Sequence, residues 1–152
     1  WKDPSLADHE RPLNKRGHRD APFMSKLMHG KVPEIDGMVA SPARRALLTA
    51  LYFADTYGVD ERDIEISPSL YLCMPEVFLN QVHQFPSHWQ SALIFGHNPE
   101  ITTLANRFSD QPIDNVPTCG ILHLECQGEE WPALQPGNAV LKAFYYPKQY
   151  FE

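Results

Sequence analysis

Three positions, Arg11, Arg45 and His97, stand where a chain would place groups to grip an oxyanion. Arg45 belongs to Ser41-Pro42-Ala43-Arg44-Arg45, directly after the short apolar run Gly37-Met38-Val39-Ala40. His97 belongs to Gly96-His97-Asn98-Pro99, directly after Ala92-Leu93-Ile94-Phe95. Both stretches read as strand, sharp turn, helix, and the free N–H groups and positive dipole end of a helix start favour an anion. Arg11, in Arg11-Pro12-Leu13, sits on a stiff segment, because a following proline favours extended backbone. Phosphate is the natural tetrahedral anion for three such groups.

Singly, each residue has a plainer reading. An arginine in a helix turn is ordinarily solvated, and a histidine after a strand is ordinarily a turn residue. His9, His18, His29, His83, His88 and His123 read as structural or exposed, because no pair has metal-ligand spacing beside a carboxylate, and no metal site is expected. Glu100, three residues after His97, reads as a helix-start acid favoured by the dipole.

The elements that must hold these residues follow from periodicity. Residues 14–30 carry Phe23, Met24, Leu27 and Met28 at helical spacing, with Asn14 as N-cap and Gly30 just past the end, and Pro22 is expected to kink this helix or begin its longer half. Ser41 is expected to cap the next helix with Pro42 in its first position, and that helix should stop near Gly58. Residues 64–66 read as a short strand, 75–85 as a helix begun by Pro75 and Glu76, and 92–95 as a strand buried on both faces. A helix bearing Ile101, Leu104, Ala105 and Phe108 follows, capped by Asn98, and 121–124 and 139–146 read as closing strands. This alternation predicts an α/β fold of three layers, α/β/α, with a mostly parallel central sheet and a ligand site outside the carboxyl ends of its strands.

Composition narrows the class. With 152 residues and 43% hydrophobic content the chain should form one domain, residues 1–152. A net charge of -6 with scattered Lys and Arg argues against nucleic acid or an anionic membrane as partner, and no apolar run approaches the roughly 20 residues of a membrane span. Three cysteines without close pairing suit a reducing cytoplasm. Oligomeric state leaves no mark in the sequence.

Taken together, Arg11-Pro12-Leu13-Asn14-x-Arg16-Gly17, Ser41-Pro42-Ala43-Arg44-Arg45-Ala46 with Thr49-Ala50, Gly96-His97-Asn98-Pro99 and Pro117-Thr118 resemble the bacterial phosphohistidine phosphatase branch of the histidine phosphatase superfamily, over nearly the whole chain and in the family's order. The resemblance implies a phosphoglycerate mutase-like fold, with Arg11, Arg45 and His97 binding phosphate and Arg44 as an exposed neighbour. It also implies a hydrolase without cofactor, acting through a phosphohistidine intermediate on phosphohistidine carried by a protein. A phosphatase or mutase of a small phosphorylated metabolite, or a non-catalytic phosphate-binding module, are the alternatives. The family's nucleophile lies in an Arg-His-Gly or Arg-His-Ala motif that these residues lack, so the resemblance puts it on a central first strand just upstream of Trp1. Glu76 is the first candidate for the general acid and Asp8 the second. The 51 residues between Arg45 and His97 are expected to be used up by a strand and a helix, leaving no lid; an open site suits a protein-borne phosphate.

Overall fold

β1, Gly37–Ala40, is the most deeply buried strand of the computed structural model, which describes residues 10–71 and 74–151. Met38, Val39 and Ala40 are each shielded almost completely from water. β2, Ile64–Ile66, pairs in parallel along one edge of β1, and β3, Ala92–Phe95, pairs in parallel along the other. The order is therefore β2-β1-β3, with matched registers such as Val39 opposite both Glu65 and Ile94. Strands flanked on both sides read as continuous apolar runs, which is how β1 announced itself in the sequence.

Two compact units divide the chain, one within Trp1–Tyr71 and Gln90–Gly96, the other within Leu72–Trp89 and His97–Glu152. The first unit holds the parallel sheet with α1, Lys15–Lys31, and α2, Arg44–Tyr57. Its core is Met24 and Met28 from α1, Ala50, Phe53 and Ala54 from α2, and the β1 side chains. Phe53 meets Phe95 of β3 edge to face with ring centres 5.2 Å apart, and burying a side chain of this size is worth about 1.5–3 kcal/mol. The second unit holds α3, Pro75–His83, α4, Glu100–Phe108, and an antiparallel pair, β4, Ile121–Cys126, with β5, Ala139–Tyr145. Phe78, Phe85, Leu104 and Phe108 are buried there, and Trp131 stacks edge-on against Phe85 while its indole N–H donates to the Trp89 carbonyl at 3.1 Å.

Five local expectations need correction. Gly30 does not end α1; the helix runs to Lys31, and its end is tied by the Tyr57 hydroxyl, which donates to the Val32 carbonyl at 2.7 Å. Pro22 lies inside α1, which is continuous from Lys15 to Lys31. Ser41 does not cap α2: the helix starts at Arg44 with Ala43 as its cap residue, and the Ser41 hydroxyl accepts from the N–H of Ala43, ahead of the helix. β3 is half-buried rather than buried on both faces, since it is an edge strand of its sheet among the described residues. The stretch between Arg45 and His97 holds more than one strand and one helix: most of α2, then β2, α3 and β3. The Asn14 cap, with its side chain accepting from the Gly17 N–H at 2.8 Å, the left-handed Gly58 closing α2, and Pro75 opening α3 are as the sequence indicates.

Two predictions follow from this packing. The Tyr57 hydroxyl is pushed up to about 12 by burial. The unfolded chain loses that proton near pH 10, so the native state holds it longer, and the associated stability is present below about pH 10 and lost as pH rises toward 12. Tyr57→Phe should flatten this alkaline loss, read as urea midpoints from neutral pH upward; an unchanged slope would refute it. The second concerns the turn before β4, where the Gly120 N–H donates to the Pro117 carbonyl at 2.9 Å and Cys119 has φ 63. A Cβ on Gly120 would lie 2.9 Å from both the Pro117 carbonyl oxygen and Val116 Cγ1, so Gly120→Ala should cost about 1–3 kcal/mol of unfolding free energy.

Candidate functional site

Arg45 is the second residue of α2 and is half-buried, whereas Arg44, the first, is exposed. Two parallel ladders fix the chain that delivers them: the Ser41 N–H reaches the Phe95 carbonyl and the Ser67 N–H reaches the Ala40 carbonyl at 2.9 Å. Ser41, fully buried, accepts a 3.3 Å hydrogen bond from the Ala43 N–H on its hydroxyl, which shapes the turn without capping the helix. The first turn of α2 thus presents two arginines and no acidic residue. Helix starts ordinarily favour carboxylates, and a cation there is unfavourable by about 0.3–1 kcal/mol.

α1 repeats the inversion. It opens on Lys15 and Arg16 with no acid in its first turn, directly after the half-buried Arg11. The nearest counter-charge is Asp20, a turn further on and almost wholly buried, which accepts from Arg19 Nε at 2.7 Å and lies 3.9 Å from Arg16 Nε. Arg11 and Arg45 both belong to the first unit.

In the second unit His97 is buried, with 6% of its surface exposed, one turn ahead of α4. Its carbonyl accepts from the Ile101 N–H at 2.9 Å. Pro99, not the expected Asn98, is the cap residue of α4, and Asn98 braces the helix start from one residue ahead of it. Its side-chain oxygen accepts from the Thr102 N–H at 3.1 Å and from the Thr102 hydroxyl at 2.7 Å, while its amide donates to the Val116 carbonyl at 2.6 Å. The Thr102 hydroxyl oxygen in turn accepts from the Val116 N–H at 3.0 Å. The Gly96-His97-Asn98-Pro99 and Pro117-Thr118 motifs are therefore joined through one network, which spacing alone could not reveal. Glu100 is also more than a surface acid at a helix start: it is 9% exposed, and its Oε2 is buried without a hydrogen-bond partner.

Glu76 lies in the first turn of α3, exposed, with its Oε1 2.6 Å from Arg107 Nη2 of α4. The Arg107 guanidinium holds this carboxyl below the usual carboxylate range, a direction that favours the charged form over a proton donor. Asp8 lies outside the described residues. Three other histidines have local uses: His18 Nδ1 is 2.8 Å from the Tyr52 hydroxyl, His83 Nε2 is 2.8 Å from the Leu134 carbonyl, and His29 packs edge-on against Tyr57, while His88 is exposed. Burial, with Lys142 nearby, lowers the pKa of His123. Among the described residues, no three His, Cys, Asp or Glu gather as a metal-holding group, and no helix is long and apolar enough to cross a membrane.

No family model matches the chain. Its curated relatives include uncharacterized proteins of Mycobacterium tuberculosis, 27% identical with 94% of this chain and 93% of the relative covered, and of Mycobacterium leprae, 28% identical with 94% and 91% covered. Among solved structures, a protein of Agrobacterium tumefaciens provisionally assigned as the phosphohistidine phosphatase SixA superposes with a TM-score of 0.79 at 21% identity, covering 97% of this chain and 90% of that one. The protein histidine phosphatase SixA complexed with tungstate superposes with a TM-score of 0.79 at 19% identity, covering 95% and 90%. The structural neighbours of this chain are thus SixA phosphohistidine phosphatases, and it has their phosphoglycerate mutase-like α/β fold.

Proposed function

We propose that the chain forms a single metal-independent phosphatase domain that removes a phosphoryl group from phosphohistidine on a protein. Arg11, Arg45 and His97 hold the phosphoryl oxygens in this reading. The observation that carries it is the pair of helices, α1 and α2, that begin on cations and no acid, against the rule that α3 and α4 obey with Glu76 and Glu100. A doubly charged oxyanion relieves the conflict that these starts otherwise contain. The fold shared with phosphohistidine phosphatases, one of them complexed with tungstate, supports the choice of phosphate.

In the proposed reaction a histidine nitrogen attacks phosphorus as the bond to the leaving nitrogen breaks, and water then cleaves the new phosphorus–nitrogen bond to release inorganic phosphate. Arg11 and Arg45 offer fixed cations to the equatorial oxygens, and His97 offers a ring N–H. The nucleophile is assigned to a strand preceding Trp1. An edge of β3 that pairs with no strand among the described residues, and an apolar run on it that is only half-buried, support that assignment.

Once the chain carries the strand with the nucleophile, phosphatase activity on an aryl phosphate should persist in chelator; loss with chelator and recovery with magnesium would refute the mechanism. Arg45→Ala and His97→Ala should each lower kcat/KM about 10²–10³-fold with little change in Tm, while Arg44→Ala stays near the starting value. A crystal soaked in tungstate in which these three groups do not meet the oxyanion would overturn the assignment.

The Arg107 pair tests the acid separately. If Glu76 serves only that pair, Glu76→Gln leaves the alkaline limb of the pH–rate profile unmoved on a phosphoramidate and an aryl ester alike. If it is the general acid, that limb collapses on the ester, whose leaving group needs the proton more.

A further inference from the structure

The thirteen Lys and Arg look scattered along the sequence, but the first unit gathers six of them, Arg11, Lys15, Arg16, Arg19, Arg44 and Arg45, around the starts of its two helices. α1 and α2 run in the same general sense: His18 meets Tyr52, the Ser25 hydroxyl lies 2.6 Å from the Thr56 hydroxyl, and Tyr57 reaches Val32. Their cation-bearing starts therefore share one end of the unit. Lys15, Arg16, Arg19 and Arg44 are exposed there, and the carboxylates within the same stretches are the exposed Glu10 and the buried Asp20.

The rest of the chain has the opposite balance, seven cations against seventeen carboxylates once Glu10 and Asp20 are set aside. Several of those seven are locally matched: Arg62 with Asp60 at 3.1 Å, Arg107 with Glu76 at 2.6 Å and Lys142 with Glu125 at 3.2 Å. Among the described residues Lys15 and Arg44 make no such pair. A cation-rich patch on an otherwise acidic chain steers anionic partners toward itself.

We propose that this end is the docking face for the acidic surface of a protein partner. Among the described residues the large exposed apolar side chains are Ile66, Met74, Val140 and Tyr150, none of them within the stretches that carry these cations. A single-stranded nucleic acid site would call for aromatic platforms among the cations, and a membrane site for apolar residues that enter the lipid. A protein face needs only complementary charge to steer it. The inference extends the phosphatase reading from the phosphoryl group to the molecule that carries it, and it is read by binding, without turnover.

The test measures binding of a fluorescein-labelled Glu-rich peptide to the full chain by anisotropy, at low and at physiological salt. Lys15→Glu/Arg44→Glu should weaken binding about tenfold or more and Lys15→Ala/Arg44→Ala by less, with circular dichroism confirming that both variants fold. Lys26→Glu/Lys148→Glu, the same charge change placed elsewhere, should leave binding near the starting value. Equal loss in both reversals, no binding by the unmodified chain, or tighter binding to single-stranded RNA or to phosphatidylserine vesicles would overturn the proposal. Aryl phosphate hydrolysis, followed in parallel on the chain extended by the strand that carries the nucleophile, separates the two readings: peptide binding without hydrolysis defeats the phosphatase and spares the docking face, and hydrolysis without peptide binding does the reverse.

Discussion

β1 carries hydrogen-bonded neighbours on both of its edges, and the placement of the first unit's chemistry descends from that double ladder. The Ala40 carbonyl is engaged by Ser67 and the Ser41 N–H by Phe95, so the backbone leaves the sheet at a point fixed from two sides. The turn that follows has little freedom, and α2 begins where the ladders end. Arg45 is therefore located by main-chain geometry before any side-chain interaction acts on it. A site on rigid elements holds its groups more closely than one on a mobile loop.

Electrostatics then sets a conflict on that scaffold. Two helices begin on lysine and arginine, where their own dipoles disfavour positive charge, and the folded protein tolerates this because each contribution is about 0.3–1 kcal/mol against a core that buries Met24, Met38, Val39 and Phe53. Such local disagreement between a rule and a sequence is expected where binding, not stability, has chosen the residue. α3 and α4 mark the contrast, each with a glutamate in the first turn. Glu76 has Arg107 as partner and Glu100 is buried, so even the two conforming helices place their acids differently.

The elements were largely legible because their signals are local: apolar runs for β1 and β3, helical spacing in α1 and α2, glycine at 58 and proline at 75. What the sequence concealed was long-range. Ser41 looks like the start of a helix until its N–H is seen extending the ladder to Phe95, a partner 54 residues away by numbering, while the helix waits until Arg44. Gly30 looks like a terminator until Tyr57 is seen holding the end of α1. Likewise the cations of residues 11–19 and 44–45 look dispersed because their closeness depends on how α1 crosses α2. Arg44 and Arg45 were separable beforehand, since adjacent helix positions differ by about 100°, and the structure leaves the first exposed and the second half-buried.

His97 rests on a different kind of support. No ladder positions it; Asn98, Thr102 and Val116 do, through two hydrogen bonds within the start of α4 and two that join it to the segment before Pro117. Asn98 is exposed and Thr102 half-buried, so each of these bonds contributes about 0.5–1.5 kcal/mol, the net worth of an ordinary intramolecular hydrogen bond. The segment before Pro117 thus acts on His97 at one remove, by holding the residue next to it. That gives Pro117-Thr118 a physical link to Gly96-His97-Asn98-Pro99 in this chain through the neighbouring Val116. The buried oxygen of Glu100 sits on this same helix start, where free N–H groups are the available compensation for a carboxylate. The second unit can accordingly hold an imidazole and a carboxylate under cover close together in the chain, with a polar network rather than a sheet as the frame.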